Sequence, residues 1–201
     1  MQMDESAGKA EAILPVLLGA IVLTQIVYVA KSALKIEIAS AAIWSVEALL
    51  FLAIAVIGLV AALQKSRLLA CTCIAIAGMV NVLQVGMGLT MFGPLFDAGE
   101  PLIPVYESVV AMAFFLFFSG KLLFGCAAIV VGMDLRRSGG AVRLVGLTAI
   151  AAGLVAMLVN FGGMAVGMDW LYPAGATGTI ATVLLAVALH LQARPAMQIA
   201  G

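Results

Sequence analysis

The sequence predicts an all-α polytopic membrane protein, a bundle of six transmembrane helices, and three observations carry that reading. Of 201 residues, 65% are hydrophobic and only 10% charged, against about 45–50% and about 25% in a soluble domain; the mean hydropathy is +1.22. The apolar residues gather into six segments, each long enough to cross a hydrocarbon core of about 30 Å as a helix. The segments are long and continuous, where a membrane β-barrel would show short alternating ones.

The first segment, about 13–30, follows the polar stretch MQMDESAGKAEA. That stretch lacks a basic n-region and VYVAK is a poor cleavage site, so the segment reads as a retained span. ASA at 39–41 matches a cleavage site better but lies beyond the charged KSALKIE. The second span, 42–63, carries Glu47 inside IWSVEALLFLAIAVIGLV, and the third, 68–92, opens RLLACTCIAIAG. The fourth, 104–133, holds both Glu107 and Lys121. At about 45 Å it exceeds the core and must tilt, kink or project. The fifth, 142–166, opens RLVGLTAIAAG, and the sixth covers 174–192. Short connections predict antiparallel neighbours in a single domain over 1–201, with no separate soluble domain. The third and fifth openings resemble each other, each with a later Val-Asn pair and a nearby proline, and the span before each carries Glu47 or Glu107. A parallel helix-pair repeat would give this pattern; so would the shared Ala/Gly/Leu composition.

Basic residues set the expected orientation. Lys65 and Arg67, then Arg136, Arg137 and Arg143, then Arg194 mark the cytoplasmic side and place both termini there. Lys31 and Lys35, in the first outside loop, are exceptions. Both tryptophans and all three tyrosines (Tyr28, Trp44, Tyr106, Trp170, Tyr172) fall at outer ends, as an interfacial belt does. The richness in alanine, glycine and valine points to a bacterial inner membrane.

Gln25, Glu47, Asn81, Gln84, Glu107 and Asn160 lie in the middle to outer half of their spans. Their shared depth predicts an outward-facing polar cavity, since ionisable groups inside a bilayer mark sites and pathways by default. Interhelical bonding by the amides, or headgroup contact by a glutamate, would use the same residues differently. Glu47 leads the set, because no basic residue neighbours it in sequence, and it suits a proton or cation site. Lys121 sits among Phe117, Phe118 and Phe124. Its stem is expected to snorkel toward the inner interface, helped by a phenylalanine face, or else to meet a buried partner or an anionic ligand. It lies about 21 Å along a helix from Glu107, too far to pair. His190 and Arg194, at the inner end of the sixth span, are candidate contacts for lipid phosphates or another anion.

The C-x-C of Cys71 and Cys73 directs two thiols about 200° apart on a helix, so with Cys126 they read as small buried hydrophobes. Among eleven methionines, Met87/Met91 in GMGLTMFGP and Met164/Met168 in GGMAVGMDW have i, i+4 spacing. This M-x-x-x-M helix resembles that of the Ctr-type copper transporters, in these residues only, and the resemblance implies stacked thioethers suited to soft Cu(I). The six spans and the lack of a Met-rich extracellular segment depart from that family, and methionine as a packing or lipid-facing residue is the reading kept.

No G-x-S-x-G, H-E-x-x-H or P-loop occurs, and a single histidine excludes bis-histidine haem. No enzyme activity, cofactor or metal is expected. Zero formal net charge gives no field favouring nucleic acid. The expected partners are the lipid bilayer and, beyond it, a homo-oligomer or a larger membrane complex. Function narrows to transport or conduction of a small solute or ion through the polar cavity, or to a non-catalytic subunit that anchors, assembles or regulates a complex.

Overall fold

The computed structural model describes residues 2–64 and 67–199, with side chains over 12–64 and 67–193. Lys65, used above for orientation, lies outside the described residues. Among them, six helices are long and apolar enough to cross a membrane: Ala12–Leu34, Ser40–Leu63, Leu68–Asp97, Glu100–Leu135, Gly140–Val166 and Met168–Ala193. They belong to α1 (Gln2–Leu34), α2 (Ser40–Leu63), α3 (Leu68–Met87), α4 (Gly93–Asp97), α5 (Ile103–Leu135), α6 (Gly140–Val166) and α7 (Leu171–Ile199).

Local chemistry sets the breaks. Gly167, at φ 87°, turns α6 toward α7, a left-handed conformation that glycine takes without steric cost. Pro104 opens α5 in its first turn, where a missing N–H leaves no intrahelical bond unmade. The third span outruns its expected end because α3 continues through a π turn, Gly88–Phe92, into α4. Pro94 has no N–H to offer the Thr90 carbonyl and its ring crowds that oxygen; the widened turn absorbs the conflict.

Helices α1, α2, α3, α5 and α7 form a closed ring, each touching the next and α7 touching α1, while α6 packs outside against α5 and α7. Glycines decide how closely the neighbours approach. A Cβ on Gly78 would lie 2.8 Å from Phe51 O and 2.7 Å from Ala55 N; a Cβ on Gly153 would lie 2.6 Å from Gly125 O and 3.2 Å from Ile129 N. A Cβ on Gly58 would meet Ala75 N at 3.0 Å, and one on Gly132 would meet Ile150 N at 3.2 Å. The pairs α2–α3 and α5–α6 therefore pack in one register, matching Phe51 with Gly125, Ala55 with Ile129, Gly58 with Gly132, Ala75 with Ile150 and Gly78 with Gly153. The likeness of the two helix pairs, which shared composition alone would also give, extends to this packing, but with different matched positions. One turn before Phe51 stands Glu47, and one turn before Gly125 stands Lys121, so the counterpart of Glu47 is Lys121 and not Glu107.

All five Trp and Tyr residues cluster at one end of the bundle. Tyr28 stacks on Trp44 at 6.2 Å, Trp44 meets Phe92 edge-on at 6.0 Å, and Tyr106 touches both Phe92 and Phe96. Gly88 leaves room for the Trp44 ring. Lys31, an exception to the charge rule, has a structural task there: its ammonium donates to Ile38 O and Ser40 Oγ, both at 2.6 Å, and ties α1 to the start of α2. The opposite end carries the arginines, with Arg67 and Asp134 paired at 3.5 Å.

Candidate functional site

The ring encloses a polar layer. Lys121 is 1% exposed, and its ammonium donates to Gln25 Oε1 at 2.7 Å and to Thr179 Oγ1 at 3.3 Å. The Thr179 hydroxyl donates to the same Gln25 oxygen at 3.0 Å. Glu47, 8% exposed, lies 2.9 Å from the Thr24 hydroxyl, whose one hydrogen is shared between the Glu47 carboxylate and Ile21 O, 2.8 Å away on its own helix. Thr24 and Gln25 are consecutive on α1, so one short segment joins the carboxylate of α2 to the ammonium of α5 and the hydroxyl of α7. The charges of Glu47 and Lys121 attract one another, but each is bonded to neutral groups from α1 or α7 rather than to the other.

The sequence makes room for this. Gly178 on α7 has no side chain, and a Cβ there would press on Lys121 Cδ at 2.6 Å. The lysine stem lies in that notch. Phe117, one turn earlier on α5, brings its ring centroid to 5.5 Å from the ammonium. Beside the layer, Asn81 fills the space a Cβ on Gly120 would occupy, and its amide donates to Ala77 O at 2.7 Å. Asn160 donates to Ala156 O at 2.8 Å and reaches Ala174 O at 3.3 Å, while its Oδ1 is buried without a partner.

Several sequence expectations need correction. Lys121 does not snorkel and touches no lipid surface: Gln25 and Thr179 satisfy its ammonium inside the ring, which removes the drive to reach an interface. Glu107 is exposed and stands apart from the layer, because α5 runs about 21 Å between it and Lys121. Gln84 is half-buried and joins none of the bonds described. On the Phe-rich part of α5, Phe114, Phe117 and Phe118 pack on one another and Phe118 seats against Gly163, while Phe115 stays exposed. The cysteines need no correction: Cys71 and Cys73 are buried and Cys126 is half-buried, as small packing side chains. His190 is exposed at the arginine end, and the side chain of Arg194 lies outside the described residues.

Thr24 and Thr179 escaped the sequence reading. A membrane threonine usually bonds its own helix, as Thr90, Thr148, Thr177 and Thr182 do here and as Thr24 also does to Ile21 O, so nothing in the local sequence separates a bridging hydroxyl from a self-satisfied one. A findable signal was glycine: a buried lysine needs a neighbour without a side chain, and α7 offers Gly178.

Two cavities lie away from the layer's centre. One, about 390 Å³ between α5 and α6, is lined by Met112, Met164, Met168, Phe114, Phe115 and Phe118 among others. The second, about 320 Å³ between α1 and α2, is lined by Leu23, Thr24, Val27, Ala42, Ile43 and Val46. Thr24, its hydroxyl bonded to Glu47, is the polar member of that lining. No protein-family model, no curated protein and no solved structure matches the chain.

Proposed function

We propose that this multi-pass membrane protein moves a small ion or solute across a bacterial-type inner membrane, with the Glu47–Thr24–Gln25–Lys121–Thr179 layer as the site that couples movement to charge. The observation that carries the reading is a lysine and a glutamate held inside a ring of helices, bonded to neutral oxygens and hydroxyls. Ionisable groups inside a membrane protein are expensive and, where they face a bundle interior, belong to ion pathways and relays. Parallel repeats that meet at a midplane site are a recurrent transporter architecture, and the matched packing of α2–α3 and α5–α6 is of that kind. The arginine end is assigned to the cytoplasm by the excess of basic residues in its loops, which puts both termini there and the aromatic end outside.

A second reading, a non-catalytic subunit of a larger membrane complex, is favoured by the hairpin formed by α4 and the start of α5. Lys121 lies about 27 Å from the start of α5, whereas Glu47 and Thr179 lie about 11–12 Å from the starts of α2 and α7. The hairpin thus extends past its neighbours and exposes Phe96 to 70%, a surface another chain could cover.

Reconstituted vesicles separate the two readings. Under the transport reading, Glu47→Gln abolishes or reshapes the flux and its pH dependence; flux of an identified substrate left unchanged by Glu47→Gln across the pH range removes the layer from the mechanism. Elution in mild detergent with a stoichiometric second chain, and no flux in its absence, selects the subunit reading.

A further inference from the structure

We propose that the cavity of about 390 Å³ between α5 and α6 binds a lipophilic organic cation, an ammonium carrying an aromatic or branched alkyl group. The site is separate from the charged layer, since none of Thr24, Gln25, Glu47, Lys121 and Thr179 lines it. It therefore goes beyond the transport reading and does not depend on it.

The wall is the first argument. Phe114, Phe115 and Phe118 of α5 share the lining with Met112, Met164 and Met168. Phe114 and Phe118 are neighbours, with ring centroids 6.4 Å apart. Aromatic rings attract a cation through their quadrupole, and a set of them around one space is a recurrent receptor for alkylammonium groups. Flexible thioethers adapt to the shape of an apolar substituent. The volume lies within the range of small-molecule sites. Met112, Phe115, Val166 and Met168 are all exposed, so the cavity opens at the surface and is not sealed in the core.

The main chain is the second argument. None of the lining side chains is polar, so the polar part of the wall is backbone. That backbone includes the last turn of α6, whose final carbonyls have no helical N–H ahead of them. Gly167, at φ 87°, ends the helix, and its N–H returns to Gly163 O at 2.8 Å. Met164, Ala165 and Val166 come after Gly163, and all three line the cavity. The negative end of a 27-residue helix favours a cation and disfavours an anion.

Charge around the mouth is the third argument. Asp169 follows Met168, and Glu107 stands one turn outward from Ala111, which also lines the cavity. Both carboxylates are exposed, and the connections at this end, around Asp97, Glu100 and Asp169, contain no lysine or arginine. Lys121, three residues after Phe118, gives its ammonium to Gln25 and Thr179 inside the ring. An acidic rim around an apolar, aromatic pocket complements a cation with an apolar body.

Equilibrium dialysis of the full chain in detergent, with detergent alone as the blank, is the test. Three probes of similar size are compared: benzyltrimethylammonium, its uncharged carbon isostere neopentylbenzene, and the anion benzenesulfonate. The cation is expected to bind about tenfold more tightly than either of the others. Phe114→Leu weakens the cation about fivefold and leaves the neutral probe unchanged. Glu107→Gln combined with Asp169→Asn weakens the cation at low ionic strength and not at high, where the rim is screened. Ala111→Trp fills the cavity and abolishes binding; should that variant fail to fold, Met112→Trp fills it from a second exposed position. A cation bound no more tightly than the neutral probe overturns the proposal and leaves a plain apolar slot. Cation binding that survives a folded tryptophan variant overturns it as well, because the probe then sits elsewhere.

Discussion

The pairs α2–α3 and α5–α6 are packed in the same register, but one carries a carboxylate and the other an ammonium at the matched position. Their backbones meet through the same contacts, Gly78 on Phe51 and Ala55, Gly153 on Gly125 and Ile129. Their surroundings differ. Glu47 needs one hydroxyl from α1 and keeps 8% of its surface, whereas Lys121 is 1% exposed and requires a glycine on α7 to lie where it does. The difference separates two tasks within one architecture: small residues set the helix spacing, and the matched position one turn away sets the chemistry. Ring closure by α1 then brings the opposite charges to adjacent residues, Thr24 and Gln25.

Breaking the shared packing has the largest expected effect. Leucine at Gly78 drives into the backbone of Phe51 and Ala55, and leucine at Gly153 into that of Gly125 and Ile129. Each substitution costs about 3 kcal/mol and removes the monodisperse peak in size-exclusion chromatography. A leucine tolerated at one glycine and not at the other would end the equivalence of the two pairs.

Removing one charge comes next. Lys121→Met leaves Glu47 without its counter-charge inside the ring and lowers stability by about 3 kcal/mol, read as a drop in the thermal midpoint in detergent. Smaller still is Asn81→Ala, which empties the notch at Gly120 and lowers stability by about 1 kcal/mol, the scale of a small cavity left in a packed interior. Smallest is Glu107→Gln. Glu107 is exposed on the projecting part of α5, and its replacement shifts stability by less than about 0.5 kcal/mol. A large loss there would tie the two charges of α5 into one site and undo the contrast between them.

The spans were legible because crossing a membrane is a demand on length and apolarity that every residue of a segment advertises. Glu47 was legible for a related reason, as a charge with no sequence neighbour to explain it. Lys121 was not, because a flexible stem reads the same whether it reaches for water or for a partner on a helix far away in sequence; Gln25 and Thr179 become its neighbours only when the ring closes. The bridging roles of Thr24 and Thr179 were hidden for the reason that helical threonines commonly bond their own backbone. The likeness of the two pairs was visible in their helix openings, but the register of their packing was not. Matching Glu47 to Glu107 followed chemical identity, whereas the packing matches positions, and position selects Lys121.

Central to this account is that Glu47 and Lys121 act as one layer although no bond joins them directly. The most direct test is a double-mutant cycle on thermal stability with Glu47→Gln, Lys121→Met and the combined variant. The two neutralisations are predicted to compensate, leaving the double variant more stable than the sum of the single losses by about 1 kcal/mol or more. Losses that add to within about 0.5 kcal/mol, as they do for independent sites, would contradict it.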